Sequence, residues 1–377
     1  MVNVLVGDLF QSKAQTLVNT VNRVGVMGKG IALEFKRRFP EMYDDYVARC
    51  ARGEVRLGQP YLFQRPSPPW VLNFPTKDHW RSVTKLDDIV RGLEYLLAHY
   101  REWGISSLAV PPLGCGNGQL EWRVVGPTLH HYLGLFDIPV ELYAPYGTPH
   151  EQLASGLFQR SLPLLNEEQD LMPEPQWIPP AWVAIVEIVK RVEDQPYHWP
   201  IGRTIFQKIA YIATIQGLPT HLSFEKNSYG PHSSQLKQLE SRLVNNGLIR
   251  VEPRGKMVAV EVGPTFDDAR RAYRADLDQW EEIIARTADL FMRMTGRQAE
   301  VVSTIMFTAR SLAAAECGMP TERSVVDAVM EWKQRRQPPF DEGEVAVTVR
   351  DLAALGWLQV RPSDDMPLPE DDVLLYA

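Results

Sequence analysis

The strongest constraint on the fold is an alternation of short apolar runs with helix-periodic segments across the first 147 residues. Val2 to Val6, Thr16 to Val21, Pro60 to Phe63, Trp70 to Phe74, the run beginning Leu108-Ala109-Val110, and Val140 to Ala144 read as strands. Between them Ile31 to Phe39, Met42 to Cys50, Lys85 to Tyr100 and Trp122 to Leu133 read as helices. In the third of these Leu86, Ile89, Val90, Leu93, Leu96 and Leu97 share one side. A period of 2 exchanging with a period of 3.6 predicts an α/β domain, whose ligand sits at loops following strand C-termini.

Two such loops are rich in glycine. Leu108-Ala109-Val110 leads through Pro111-Pro112-Leu113 into Gly114-Cys115-Gly116-Asn117-Gly118. The strand carrying Asn19 and Asn22 leads through Arg23 and Gly25 into Met27-Gly28-Lys29-Gly30-Ile31-Ala32. Glycine lets successive amides turn toward one point, and a helix N-terminus adds more donors, so the pair suits a diphosphate. The spacing is neither G-x-G-x-x-G with a distal acid nor G-x-x-x-x-G-K-S/T. Lys29 is followed by no Ser or Thr and is not a P-loop lysine. A tight turn after a core strand is the plainer reading of either loop alone.

At 377 residues the chain is long enough for two domains. Pro163, Pro173, Pro175, Pro179 and Pro180 surround an acidic stretch and predict a linker over 151–181, between a domain at 1–150 and another at 182–377. The second half reads as mostly helical, over 182–193, 201–216, 233–246, 277–294, 297–316 and 322–336. Leu243 to Pro253 echoes Leu352 to Pro362 at a constant offset: a helix end, a glycine C-cap at Gly247 or Gly356, and a short strand stopped by proline. A hairpin through Arg254-Gly255 after the first copy gives a winged-helix-like expectation.

The charge is uneven. Residues 1–155 hold 16 Lys and Arg against 15 Asp and Glu, while the remainder holds 24 against 32. An acidic second half opposes phosphate contact and favours a protein partner. Cys50, Cys115 and Cys317 include no C-x-x-C pair, so neither a disulfide framework nor a zinc site is expected. No basic leader and no apolar run of membrane-spanning length is present, and a cytoplasmic protein away from membranes is expected.

The Gly7-Asp8-Leu9 turn, the strand ending at Asn22, the two glycine loops and Leu120-Glu121-Trp122 together resemble a macrodomain. Gly28 to Phe39, Thr76-Lys77 and Gly114 to Trp122 are similar, more narrowly, to the terminal ADP-ribose protein glycohydrolase branch. With a large helical C-terminal domain attached, the arrangement resembles the DarG antitoxin family. The resemblance implies a mixed sheet with helices on both faces, no cofactor and no metal. It also implies removal of ADP-ribose from thymidine in single-stranded DNA, with ADP-ribose as product, and a DarT-like DNA ADP-ribosyltransferase toxin as partner.

Carried over residue by residue, Asp8 accepts from the adenine amino group beside the Leu9 amide, and Asn22 holds the distal ribose. Gly28, Lys29, Gly30 and Ile31 wrap the diphosphate together with Gly114, Cys115, Gly116, Asn117 and Gly118. Lys77, after Thr76, attacks the anomeric carbon or engages the distal ribose as its ring opens. A lysine does this only when partly deprotonated, through burial or a neighbouring cation such as Arg81. Lys85 is a weaker candidate for the same role, and His79 reads as a surface or packing residue. The chain departs from the protein-directed relatives at Gly118, where they carry an aspartate. That disfavours hydrolysis of a glutamate ester and favours an N-glycoside to a base. Two alternatives stay open: a non-catalytic ADP-ribose reader with a scaffold domain, and an O-acetyl-ADP-ribose deacetylase.

Overall fold

Thr16–Asn22 (β2) is apolar and buried almost throughout, and the first sheet is built outward from it. The computed structural model describes residues 2–149, 178–254, 257–315 and 318–367. Most of the expected linker, Cys317, Gly255 of the expected hairpin turn and the acids Glu370, Asp371 and Asp372 lie outside the described residues. With Val2–Leu5 (β1), Tyr61–Phe63 (β3), Trp70–Lys77 (β4), Leu108–Val110 (β5) and Val140–Tyr143 (β6), β2 forms a six-stranded sheet in the order β1-β6-β5-β2-β4-β3. The paired strands run parallel except β3, which pairs antiparallel with β4 at the edge, so the sheet is mixed.

Helices Gly30–Arg38 (α1), Pro40–Ala51 (α2), Leu86–His99 (α3) and Trp122–Gly134 (α4) complete this layer structure. Side chains alternate across a strand, so Val71 and Phe74 of β4 face opposite ways. Val71 joins Phe35, Met42 and Tyr46 in one cluster. Phe74 meets α3 at Gly92, where a Cβ would lie 2.3 Å from its ring. Both faces are therefore covered, and register is fixed by a polar pair in the core: Asn19 Nδ2 donates to Asn73 Oδ1 at 2.9 Å between β2 and β4.

Topology sets the place of a ligand. The chain leaving β2 passes through α1 and α2 toward β3 and β4, whereas the chain leaving β5 passes through α4 to β6 on the other side. The crevice between β2 and β5 is thus a switch point, and both glycine loops start there.

The described residues group into two compact units. The first holds the residues up to Val183 together with Leu239–Arg250 and Val262–Leu277. These returning segments are tied to α4. Asn246 Oδ1 accepts from the Glu121 amide at 2.6 Å, and the Arg123 guanidinium lies 4.0 Å over the Tyr273 ring and donates to the Ala272 carbonyl. The second unit holds Ala184–Gln238, Val251–Glu261 and the residues from Asp278 onward. It is mostly helical, from Arg203–Ile215, Glu281–Met292, Gly296–Ala315, Glu322–Lys333 and Glu342–Ala354, with Phe206, Ile284, Ile305, Val325 and Val349 in its core.

Gly247 and Gly356 both end their helices at positive φ, +72° and +69°, as the echo predicts. Beyond the two glycines the chain takes different paths. Ile249–Arg254 pairs with Met257–Val262, while after Gly356 only a single bridge forms, from Arg361 to Thr321. The helices Phe266–Ala272 and Arg274–Gln279 and the hairpin Glu225–Asn227 with Gly230–His232 were not expected. No helix among the described residues is long and apolar enough to cross a membrane.

Candidate functional site

At the switch point lies a cavity of about 650 Å³. Asn22, Thr76 and Lys77 reach it from the ends of β2 and β4. Gly28 to Ile31 line it from the first loop and α1, and Gly114, Gly116, Asn117 and Gly118 line it from the second loop. The structure thus assembles eleven expected residues around one space. Among the described residues its lining includes three basic side chains, Lys29, Lys77 and Arg81, and no carboxylate. Such a cavity attracts an anion.

Its donors are main-chain amides. Lys29 occupies the N-cap of α1 without a side-chain cap, so the helix's first amides keep the exposure a capping oxygen would remove. Among the described residues the amides of Gly116, Asn117 and Gly118 donate to no backbone carbonyl. The loops also close on each other: a Cβ on Gly30 would lie 3.3 Å from Asn117 Nδ2.

Glycine is required in the second loop by space as well as conformation. Gly114 has φ of +78°, and a Cβ there would lie 2.7 Å from Leu120 Cδ1. At Gly118 a Cβ would lie 2.1 Å from the Gly114 carbonyl oxygen and 2.6 Å from Thr84 Oγ1. The residue that stands where an acid was sought is therefore a packing glycine, and this loop path has no room for a carboxylate there. Cys115 is not among the lining residues: its side chain is buried, its Sγ faces the Leu113 carbonyl, and its amide donates to the Pro112 carbonyl at 3.0 Å.

Lys77 ends β4 half-buried, and its Nζ donates to the Asn117 carbonyl, which holds the amine against the second loop. Burial lowers its pKa from the usual lysine range. Asn22 pairs in register with Lys77 across β2 and β4. Its Oδ1 accepts from the Val24 amide at 3.0 Å, the Val26 amide at 3.3 Å and Tyr46 Oη at 3.0 Å, and its Nδ2 donates to the Val26 carbonyl at 2.6 Å. The amide thereby clamps the loop it precedes.

Asp8 and Leu9 are not brought into this cavity. The Asp8 carboxylate caps the turn Leu9–Gln11 by accepting from the Phe10 amide at 3.0 Å, and Leu9 is buried in the core cluster. Lys85 is exposed at the N-cap of α3, and His79 is exposed, its Nδ1 accepting from the Arg81 amide at 3.2 Å. Two lining residues escaped the sequence reading. Thr84 is buried, and its Oγ1 has no hydrogen-bond partner among the described residues; Trp80 stands at the cavity 46% exposed. No group of three or more His, Cys, Asp or Glu able to hold a metal occurs among the described residues.

The macro domain family profile matches residues 18–129, the stretch that holds both loops and Lys77. A Thermus aquaticus protein named DNA ADP-ribosyl glycohydrolase is 30% identical over 366 residues, covering 96% of this chain and 95% of the relative. The chain belongs to the DNA ADP-ribosyl glycohydrolase family. A member from Mycobacterium tuberculosis is 38% identical over 247 residues, 62% of this chain and 64% of that protein. A Thermosipho africanus protein, named a DNA ADP-ribosyl transferase-DNA ADP-ribosyl glycohydrolase fusion, is 42% identical over 157 residues, 37% of this chain and 40% of the fusion. As in the name of the family, a glycosidic bond to ADP-ribose is the chemistry to be placed in this macrodomain cavity.

Proposed function

We propose that this chain is an antitoxin whose macrodomain releases ADP-ribose from thymidine bases of single-stranded DNA in the cytoplasm. One observation carries the reading: the half-buried Lys77 amine donates to the Asn117 carbonyl of the second glycine loop, in a cavity that both loops line and whose lining, among the described residues, includes no carboxylate. The loop amides hold the diphosphate, Thr76 and Asn22 support the distal ribose, and Asp8 with the Leu9 amide, both outside this cavity, receives the adenine at the far end of the ligand. Neutral Lys77 Nζ attacks the anomeric carbon as the bond to the base breaks, the electron pair of that bond leaving on the base nitrogen and the proton of the new ammonium passing to water. In thymidine the ring nitrogen not bound to deoxyribose is an imide, whose two flanking carbonyls spread the developing negative charge. That leaving group needs no general acid, which fits a loop with no space for one at Gly118. Water then restores the lysine and completes the hydrolysis.

The second half is proposed to bind and inhibit a DarT-like transferase. Support comes from the fusion relative, which joins the two named activities in one chain, and from the acidic balance of this half. The helix ending at Gly247 with its following hairpin is proposed as a winged-helix-like element. The fragment from about residue 182 is expected to retain the transferase in a pull-down; failure to retain it removes this part of the function. Exposed Asp364 and Asp365, with Asp371 and Asp372, are proposed to occupy a basic surface of the toxin, so neutralising them weakens binding and its salt dependence.

The lack of a lining carboxylate also suits a reader that binds ADP-ribose without cleaving it. Turnover of an ADP-ribosylated thymidine oligonucleotide beside O-acetyl-ADP-ribose decides among the readings. Release from the oligonucleotide at the higher kcat/KM is expected. Binding without release supports the reader, and preferred turnover of the ester supports the deacetylase.

A further inference from the structure

Among the described residues the cavity lining contains one aromatic side chain, Trp80, and it is 46% exposed. It sits three residues beyond Lys77 in a turn closed by the Ser82 amide donating to the His79 carbonyl at 2.9 Å. That turn fixes the backbone that carries the indole. Arg81, also in the lining, places its guanidinium 4.5 Å from the ring centroid and so combines a cation with an apolar plane. Lys29 stands on the opposite loop. With the anomeric carbon at Lys77, the leaving base is attached beyond the distal ribose, at the end of the ligand away from the diphosphate.

We propose that Trp80 and Arg81 form a platform on which the modified base or its neighbour stacks and an adjacent DNA phosphate is held, selecting an unpaired strand. This rests on the function proposed above. An aromatic plane serves any base because every base has a π-face, and a base in a duplex cannot reach it without leaving the stack. The platform is thus a specificity determinant separate from the ADP-ribose cradle. Trp80 and Arg81 are exposed and outside the core, so substitutions there leave the fold intact.

The test uses the full chain as wild type, Trp80→Ala, Trp80→Phe and Arg81→Ala. Three quantities are read: ADP-ribose affinity by calorimetry, kcat and KM for release from an ADP-ribosylated oligonucleotide and from ADP-ribosyl-thymidine, and anisotropy of the labelled modified oligonucleotide in a Lys77→Ala background. Trp80→Ala is expected to raise KM for the oligonucleotide about ten- to a hundredfold, a loss at least about tenfold larger than any in ADP-ribose affinity. Trp80→Phe recovers most of the loss, and Arg81→Ala lowers the salt slope by about one phosphate contact. Unchanged oligonucleotide binding in Trp80→Ala overturns the proposal, as does an equal loss of ADP-ribose affinity. If wild type releases nothing from any modified oligonucleotide, the hydrolase reading fails, and anisotropy alone decides the platform by whether Trp80→Ala weakens binding tenfold or more.

Discussion

Gly118→Ala is the sharpest probe of the second loop. The added Cβ would stand 2.1 Å from the Gly114 carbonyl oxygen, where real Cβ contacts do not fall below 3.0 Å, so the loop has to open by about 1 Å. The opening strains two hydrogen bonds that close the loop, Thr84 N to the Gly118 carbonyl at 3.0 Å and Leu120 N to the Gly114 carbonyl at 3.1 Å. At about 1 kcal/mol each, with some added strain, the cost is about 2–3 kcal/mol. For a unit of this size that lowers the melting temperature by roughly 5–10 °C. Moving the loop amides by about 1 Å also weakens ADP-ribose binding by about ten- to a hundredfold. Thermal melting and calorimetry with ADP-ribose measure both effects. Gly116→Ala is the control: nothing lies within 4 Å of its Cβ, so stability is expected to stay within about 0.5 kcal/mol. A Gly118→Ala protein that melts within about 1 °C of wild type and binds ADP-ribose equally well refutes the crowding argument. By the same reasoning Gly118→Asp disrupts the loop and does not install an acid.

Three further outcomes are expected. Because burial lowers the Lys77 pKa and the attacking form is neutral, kcat/KM rises with pH and levels off below the ordinary lysine value; a flat or falling profile between about pH 6 and 9 contradicts this. In the second unit Lys208 is buried, donates to the Pro231 carbonyl at 2.9 Å and lies among Lys333, Glu300 and Arg336; burial first and Lys333 second push its pKa down to about 7. The folded pKa lies below the unfolded one, so the unfolded chain holds the extra proton between these values and stability rises with pH from about 7 toward 10. Lys208→Met is expected to flatten that rise by about 2 kcal/mol between about pH 7 and 9 in denaturant titrations, and an unchanged slope rules the residue out as its source. Asn246→Ala leaves the Glu121 amide buried without its acceptor, costing about 1–3 kcal/mol, visible as a lower melting temperature of the first unit; an unchanged melt denies that the segment is part of that unit's fold.

The legible part of the fold was local. Each of the six strands of the first sheet arises from an apolar run, and α3 from the spacing of Leu86, Ile89, Leu93 and Leu96, all of which are buried. Both C-cap glycines were visible for the same reason, since a positive φ leaves a residue-type signature. Strand order, the Asn19–Asn73 pair and the Glu300 cluster join residues far apart in sequence, and no period marks them. The helices Phe266–Ala272 and Arg274–Gln279 are too short to show a face, and the hairpin beginning Glu225-Lys226-Asn227 is exposed and polar, without alternation. The loops of the site were found because glycine is conspicuous. The crowding at Gly118 was missed because it comes from Gly114 and Thr84 folding back, and Trp80 was missed because an isolated tryptophan in a sequence looks like any other.

The central claim is that Lys77 breaks the bond while the loops hold the ADP-ribose. Single-turnover release of ADP-ribose from an ADP-ribosylated thymidine oligonucleotide, by wild type and by Lys77→Ala, tests it directly when the ADP-ribose affinity of both is measured alongside. The expected result is a fall in rate of at least about a hundredfold with affinity retained. A variant that releases ADP-ribose as fast as wild type would contradict the account, because another group would then perform the cleavage.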